Sequence, residues 1–480
     1  MRTARRLVAR YAAALCLGAL SGCTVVGPDF TPPQPELPAA WDAPVPSLFE
    51  KGSADGPWWQ HFSDPVLGQL VSRGLRDNLD INTAMSRLRE ARAAARGVVA
   101  GTGPSLDASG EAGIETRHES GDGDDDDSET GGSARAGLSG VWEIDLFGGL
   151  ARSREAAWAR VARQQALAHE ARRLSVSAIA TAYIELRAAE RRRDLTERAL
   201  ELQQQTLSLV SSRVDSGLAP ALDRVRARAQ VSSLKADLGP LRADVDDFRN
   251  ALAVLLAEPP GAVDELLVER AGVIPASGAG RPVGVPADLL RRRPDIRAAE
   301  LQLAVATAEI GIAAAELYPR LTLPGTISVG WTGIGEGSVV TSVLASLSAL
   351  VELPLYDGGR RQADITAAEE RLVQASLAYR QTLLQAIQEV EAALAGYQGA
   401  WQRRQALADA VENNRLAYEQ SRELYRQGFV NFIDVLDSQR TWNGSLQDLA
   451  LAERDVGLEI VNLYTALGAT PQGTAMAESN

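Results

Sequence analysis

Apolar residues recur along this chain with two periods, and the two periods alternate. The longest helical pattern extends from Ala151 to Val214 and again from Arg360 to Gln427. One stripe in the second segment repeats every seven residues, at Ile365, Leu372, Tyr379, Ala386, Ala393, Ala400 and Leu407. A seven-residue repeat is typical of coiled coils. The pattern therefore predicts two very long helices, each packed side by side with other helices.

Shorter segments alternate with period two, which indicates strands with one apolar face. They predict two β-hairpins, at residues 105–147 and 321–355, with strands of about ten residues each. A polar segment from Glu115 to Arg135 separates the first two strands. We expect it to form a solvated, disordered loop. An EF-hand calcium loop is not expected there, because its obligatory Gly is replaced by Asp127.

The same order of segments occurs twice. NLDIN is matched by RPDIR, WEIDLFGG by ELPLYDGG and SGLAPALD by QGFVNFID, at offsets of 215, 210 and 211 residues. A repeat of this length implies one architecture built from two similar halves. We predict a first repeat at 67–257, a linker at 258–285, a second repeat at 286–467 and a tail at 468–480.

The lengths of the predicted helices also agree between the halves. Each long helix ends at a glycine turn, Gly217 or Gly428, and a return helix follows, within the hairpins 151–257 and 360–467. A return helix and a short preceding helix (Leu67–Val99 or Pro286–Leu317) together match one long helix in length. These matching lengths predict a hollow helical cylinder, with the linker 258–285 and the chain ends forming a belt around it.

The N-terminus has the features of an export signal. Residues 1–22 contain four Arg and an apolar run that is too short to span a bilayer, and they end in small residues before Cys23. This arrangement resembles a bacterial lipoprotein signal, which implies that Cys23 is lipidated. The alternative is an ordinary secretory signal followed by a chance cysteine. Residues 23–66 are predicted to be an extended, lipid-anchored segment.

Composition and charge exclude several classes of function. The formal net charge is −13 and no concentrated basic face is evident, which disfavours nucleic acid as a partner. The three histidines, His61, His118 and His169, have no second ligand at metal-binding spacing, and no catalytic motif is present. We therefore expect neither an enzyme nor a cofactor nor a metal site. Paired acids such as Glu389 and Glu391 are interpreted as solvated helix faces or a channel lining.

The predicted strands have the length that crosses an outer membrane. Four strands cannot close a barrel, and an open edge in lipid would leave backbone groups unpaired at several kcal/mol each. The chain is therefore expected to oligomerise. Two copies would give eight strands and a filled interior, whereas three would give twelve strands and room for a pore.

Five motifs now support a specific resemblance. In order they are PWWQHFSDPVLGQL, WEIDLFGG, PADLLRRRPDIRAAE, YRQGFVNFIDVLDSQR and NLYTALG. They resemble the outer-membrane factors of bacterial tripartite efflux pumps, in the lipoprotein branch that includes OprM and NodT. The resemblance implies a mainly α fold with a transmembrane β-barrel: a homotrimer with twelve strands and a periplasmic α-helical barrel. It also implies a passive duct through the outer membrane, joined by a periplasmic adaptor to an inner-membrane RND transporter.

The resemblance also assigns roles to residues at the two glycine turns. Gly217 with Leu218, and Gly428 with Phe429, are expected to contact the adaptor at six tips around the trimer. The alternative is that both glycines are there only because the turn needs a residue with positive φ.

A gate is expected just beyond the second tip. Ile433 and Asp437 lie four residues apart on one helical face and match an apolar ring and an acidic ring of the family. Arg226 occupies the position equivalent to Asp437 in the first repeat, where a bridge between neighbouring hairpins could hold the gate shut. Tyr425 is expected beside it, although Leu424 departs from the Arg found there in the lipoprotein branch.

Two other functions remain open from the sequence. A duct for type I protein secretion would have nearly the same sequence pattern. A lipid-anchored coiled-coil scaffold without a pore would have the long helices, but it would not explain two amphipathic hairpins at the same point of each repeat.

Overall fold

The computed structural model describes residues 25–35, 37–38, 40–43, 49–50, 57–119, 127–276, 281–282, 292–334 and 339–469. The predicted signal 1–22, the predicted lipidation site Cys23 and most of the tail 468–480 lie outside these residues. The chain forms two compact units. The first contains residues up to Pro33, Leu88–Gln164 and Ala299–Tyr379, and the second contains Gln34–Arg87, Gln165–Ala298 and the chain from Arg380 onward.

Helices and strands follow the same order in both halves of the sequence. The first half contains α1 (Pro65–Asp77), α2 (Leu79–Gly101), β1 (Ser105–Glu119), β2 (Asp127–Ile144), α3 (Gly149–Asp215) and α4 (Ala221–Leu255). After the short α5 (Asp264–Val268), the second half contains α6 (Pro294–Ala315), β3 (Arg320–Ile334), β4 (Val339–Leu347), β5 (Leu350–Glu352), α7 (Arg360–Gln427) and α8 (Phe432–Ala466). The two long helices predicted from the heptads are therefore present, with 67 residues in α3 and 68 in α7.

The strands form one antiparallel sheet in the first unit. Its order is β1-β2-β3-β4, and β5 continues the pairing along β3. Gly140 of β2 lies opposite Gly325 of β3, which lies opposite Leu347 of β4. Large apolar side chains on this sheet remain exposed, including Leu106 at 73% and Leu347 at 83%. Among the described residues, the outer edges of β1 and β4 pair with no further strand.

The fourth predicted strand is interrupted, because β4 ends at Leu347 and β5 begins at Leu350. Pro324 of β3 faces this gap, and its carbonyl accepts a hydrogen bond from the backbone N–H of Ser348 at 3.0 Å. Proline has no N–H to donate in return, so the ladder breaks at this point. The strand prediction was also too long at its end, since β5 stops at Glu352 rather than Leu355.

The prediction of a disordered loop from Glu115 to Arg135 was wrong over most of its length. β1 continues to Glu119 and β2 begins at Asp127, with Thr116 opposite Thr130 in the register. A backbone ladder needs no apolar side chains, and Thr is a residue type that favours strands. Only residues 120–126 of that loop lie outside the described chain. These strands have 15 and 18 residues, so the predicted length of about ten was also too short.

The predicted first helix, Leu67–Val99, is two helices. Asn78 separates them with an extended ψ of 132°, and its side-chain oxygen accepts hydrogen bonds from the N–H groups of Asp80 and Ile81 at 3.0 and 3.1 Å. Asn is a favoured helix N-cap because its side chain satisfies such free N–H groups. The Asn78 amide nitrogen also donates to the Leu255 carbonyl at 2.8 Å, which fixes the break against α4.

The predicted extended segment 23–66 is not extended throughout. Residues Trp58–Phe62 form a 3-10 helix whose Trp58, Trp59 and Phe62 side chains are buried in the core of the second unit. Aromatic side chains contribute large buried areas to a core. This part of the N-terminal segment is therefore packed into the second unit.

One fully buried cation anchors the same core. Arg187 of α3 donates to Glu190 at 2.8 Å and to the carbonyls of Leu267 and Glu269 at 2.8 and 2.6 Å. Its guanidinium also lies 4.8 Å from the ring centroid of Tyr183. Because a buried charge is tolerated only when it is paired, these contacts hold the linker against α3.

Helix α6 is the one described helix that is long and apolar enough, by length and composition, to cross a membrane. More than half of its most apolar stretch is buried inside the protein, including Val305, Ala306 and Ala308. These features are those of a core helix.

Candidate functional site

The two helical hairpins of the second unit turn through the same backbone motif. After α3, the N–H of Leu218 donates to the Arg213 carbonyl at 2.8 Å and that of Gly217 donates to Val214 at 3.0 Å. After α7, Phe429 and Gly428 make the equivalent bonds, at 2.9 and 3.1 Å. This pair of bonds is the Schellman motif, which requires a left-handed residue after the helix. Gly217 and Gly428 supply it, with φ of +71° and +85°.

The apolar residues that follow the glycines point away from the core. Leu218 is 69% exposed and Phe429 is 75% exposed. In a Schellman motif the residue at this position often packs back on the last helical turn. Here both side chains stay available, and a Cβ on either glycine would meet open space. The predicted adaptor-contacting residues therefore form two small exposed apolar tips.

Behind the second tip, Tyr425 is buried and contacts the other hairpin. The Arg213 guanidinium lies 4.8 Å from the Tyr425 ring centroid. Its Nη1 atom donates to the carbonyls of Tyr425 and Arg426 at 3.4 and 3.3 Å. We call these contacts of Arg213 the tip latch. Burial raises the pKa of Tyr425 above its usual value, so the phenol stays neutral.

The latch rests on a small apolar core between the hairpins. Phe432, 1% exposed, lies 5.8 Å from the Tyr425 ring between centroids. The other buried members are Val210, Ala227, Tyr418, Val435 and Leu436. A cluster of this kind gives each hairpin a fixed position relative to the other near the turns.

The predicted gate residues Ile433 and Asp437 lie on the exposed face of α8. Ile433 is 41% exposed, and Asp437 one turn further is exposed as well. Arg226 on α4 lies 3.8 Å from Asp223, in its own helix. The structure thus brings Ile433 and Asp437 to one face, while the predicted bridge from Arg226 to Asp437 of a neighbouring hairpin stays a prediction.

Asp434 has a local role. Its carboxylate accepts a hydrogen bond from the Asn431 N–H at 3.0 Å, and the Asn431 side chain bonds the third residue of α8 in return. This is a capping box. Asp434 is therefore an acid in the first turn of α8 whose role is to cap that helix.

Several polar atoms are buried in this region without a hydrogen-bond partner in the described chain. They are Tyr418 Oη, Tyr425 Oη, Trp442 Nε1, Gln203 Oε1 and both amide atoms of Gln439. Each buried, unpaired polar atom costs on the order of 1–3 kcal/mol. The packing near the second tip is therefore less favourable than a fully satisfied core.

Sequence reasoning missed Arg213. A signal for it was available, because Arg213 stands 211 residues before Leu424, at the same position of the repeat. The chain has Leu424 where the resemblance implies an Arg, and it has an Arg in the equivalent position of the first repeat. A contact between residues 212 positions apart cannot be read from local pattern.

Two of the three histidines, His61 and His169, have side chains that the structure describes. His61 stacks on Tyr464 with 5.7 Å between ring centroids, and its Nδ1 lies 2.8 Å from the Trp58 carbonyl. Burial, reinforced by Arg172, lowers the pKa of the half-buried His169. Within the described ranges no group of three or more His, Cys, Asp or Glu side chains is placed to hold a metal ion.

Comparison with known proteins gives consistent matches over nearly the whole chain. The family model for outer membrane efflux proteins matches residues 70–258 and 285–469. Nodulation protein T of Rhizobium leguminosarum bv. viciae is 32% identical over 466 residues, covering 95% of this chain and 93% of that protein. The pyoverdine export outer membrane protein OpmQ of Pseudomonas putida is 31% identical, covering 95% of this chain and 97% of that protein. The solved outer-membrane channel OprN is 32% identical with a TM-score of 0.81, covering 93% of this chain and 99% of that one.

Proposed function

This chain belongs to the outer membrane efflux protein family, and we propose that three copies of it form the exit duct of a tripartite efflux pump. The resemblance inferred from the five motifs is thereby confirmed. The protein is an outer-membrane efflux channel with a large helical portion. Its family consists of channels, and we assign it no catalytic step and no cofactor.

The open edges of the sheet support closure by further copies. Strands alternate in direction across β1-β2-β3-β4, so β4 of one copy can pair with β1 of the next as an antiparallel neighbour. A repeated contact of this type closes into a ring. Three copies supply twelve strands, enough for a pore, whereas two supply eight and a filled interior. Exposed apolar residues such as Ile114 and Val343 would then face lipid.

The long helices also present surfaces that fit another copy. Leu377 and Leu384 of α7 are 62% and 57% exposed, and they lie seven residues apart. A heptad stripe left exposed on one chain is suited to pack against a neighbouring helix. This second observation favours a helical barrel built from several chains.

The adaptor is the partner proposed for the two tips. Leu218 and Phe429 would offer it six exposed apolar side chains around a trimer, each held by a rigid Schellman turn. Rigid apolar anchors are suitable for binding because little conformational freedom is lost. The adaptor would connect the duct to an inner-membrane RND transporter, which selects the small molecules to be exported.

The gate is proposed at Ile433 and Asp437. Three copies would place three of each around the axis, and three carboxylates at a constriction favour cations. The tip latch is proposed to hold the second hairpin in the closed position, together with a bridge between Arg226 and Asp437. We further propose that Cys23 is lipidated and anchors the chain to the outer membrane.

The sheet β1-β2-β3-β4, whose two outer edges pair with no further strand in the described part of the chain, carries this proposal. Native mass spectrometry of the detergent-extracted protein tests it, with a trimer as the expected species. A monomer or dimer as the dominant species would contradict it. The same spectra of wild type and Cys23→Ala test the anchor: acyl mass is expected on the wild type alone, with the trimer retained in both.

A further inference from the structure

The first described residues of the chain are held by one buried arginine. Arg152, in the first turn of α3, is 4% exposed. Its Nη2 donates to the Gly27 carbonyl at 3.2 Å and to Asp29 Oδ1 at 2.8 Å, and its Nε donates to the Val26 carbonyl at 3.2 Å. Its remaining nitrogen, Nη1, donates to Glu155 at 2.7 Å. We call residues Val25–Asp29 the strap.

The strap also lies unusually close to the surrounding backbone. A Cβ on Gly27, where φ is +89°, would overlap the Cα of Gly311 in α6. A Cβ on Gly148 would lie 2.7 Å from the Val25 side chain, and one on Gly311 would lie 2.7 Å from Arg152 Cγ. The N–H of Val26, in the strap, also donates a hydrogen bond to the Phe147 carbonyl at 3.0 Å. One glycine in the strap, Gly27, and two beside it, Gly148 and Gly311, thus allow a close approach that a side chain at any of the three positions would prevent.

The residues that hold the strap come from both repeats, Gly148 and Arg152 from the first and Gly311 from the second, and the arrangement is not duplicated. At the offset of 210 residues, the position of Arg152 is occupied by Gln362 in the second repeat. At the offset of 215 residues, the position of Gly311 is occupied by Arg96 in the first repeat. Both key residues therefore differ from their duplicates, and each chain has one N-terminus to hold. This asymmetry favours a dedicated role over a remnant of the duplication.

We propose that Arg152, Gly27, Gly148 and Gly311 form a docking seat that fixes the lipid-anchored end of the chain at the junction of β2 and α3. Cys23 precedes the strap by two residues, so the seat determines where along the protein the acyl chains can enter the membrane. The inference rests on the proposed lipidation of Cys23 and adds to it. The lipid aids assembly of the barrel only while the strap is seated.

Hydrogen exchange of the purified full-length protein tests the docking. Arg152→Met removes three hydrogen bonds to the strap, and Gly27→Val introduces a clash with α6. Each is expected to speed exchange of the Val26 amide by at least about tenfold. Arg160→Met is the matched control, since Arg160 lies on the same helix, is half exposed and pairs with Glu309. Wild-type exchange rates in both test variants would overturn the docking.

A double-mutant cycle tests the coupling to the anchor. The measured quantity is the fraction of heat-resistant oligomer in outer membranes for wild type, Cys23→Ala, Arg152→Met and the double variant. If lipid and seat act through one strap, the double variant is no worse than the poorer single variant. Additive losses would overturn the coupling. Absence of acyl mass on wild-type Cys23 would instead refute the lipidation, and the exchange result would still decide whether the strap docks.

Discussion

Removal of the tip latch is expected to loosen the closed channel without unfolding it. In Arg213→Met the guanidinium loses its contact with the Tyr425 ring and its two hydrogen bonds to carbonyls of α7. A cation–π contact of a partly exposed arginine contributes about 1 kcal/mol. The two bonds are long, at 3.4 and 3.3 Å, and we assign them about 1 kcal/mol together. The closed arrangement thus loses about 2 kcal/mol per chain, or about thirtyfold in its equilibrium with an open one.

The assay is the open probability of single channels in planar bilayers, supported by the sensitivity of cells to a large antibiotic. Arg426→Met is the matched control, because Arg426 is adjacent to Tyr425, is 63% exposed and pairs with Glu423 at 3.6 Å. Such a surface pair contributes between 0 and about 1 kcal/mol. Equal behaviour of Arg213→Met and Arg426→Met would refute the latch, as would a wild-type open probability in Arg213→Met.

Three further predictions concern the tips and the second unit. Gly428→Trp should abolish adaptor binding while the trimer persists. Gly428→Asn separates the adaptor contact from the turn, because Asn tolerates positive φ. If Gly428→Asn leaves adaptor binding unchanged, the glycine serves the turn alone. Arg187→Met should lower the thermal unfolding midpoint, because Glu190 loses its buried partner at a cost of about 3 kcal/mol, and an unchanged midpoint would contradict the role of this network. Burial opposes ionisation of Asp295, but the Arg293 guanidinium outweighs it and holds the pKa of that carboxyl below its usual value. This stabilisation is present above the unfolded-state pKa of about 4 and disappears as pH falls through the lower folded-state pKa, so Asp295→Asn should flatten the acid dependence of unfolding below about pH 4.

The repeated elements could be predicted because their signals are local. The helical pattern predicted the ends of both long helices to within two residues. Gly217 and Gly428 indicated the turns, because few other residues accept positive φ. The break at Asn78 was not predicted, because the apolar pattern continues through it. The capping hydrogen bonds depend on the orientation that the Asn78 side chain takes in the fold. The extension of β1 to Glu119 was missed since a backbone ladder leaves no alternation of apolar residues in the sequence.

Contacts between distant residues account for the remaining misses. Glu389 and Glu391 were interpreted as solvated helix faces or channel lining, and Glu389 is indeed exposed, but the partners of both acids were not predicted. In the structure Glu389 accepts a hydrogen bond from Arg293 at 2.7 Å, and Glu391 accepts from the backbone N–H groups of Asp42 and Ala43, both at 2.8 Å. Those partners lie 96 to 349 residues away, so no local pattern shows them. The same reason explains why Arg213 was absent from the predicted gate.

The most direct test of the account is the conductance of the purified trimer in a planar bilayer, compared with that of the Ile433→Ala, Asp437→Ala double variant. If three chains form a duct gated at these residues, the wild type shows small, cation-preferring openings. The double variant then shows a larger conductance with a weaker preference for cations. A wild type without channels would contradict the duct itself, and a double variant with wild-type conductance and unchanged cation preference would contradict the gate.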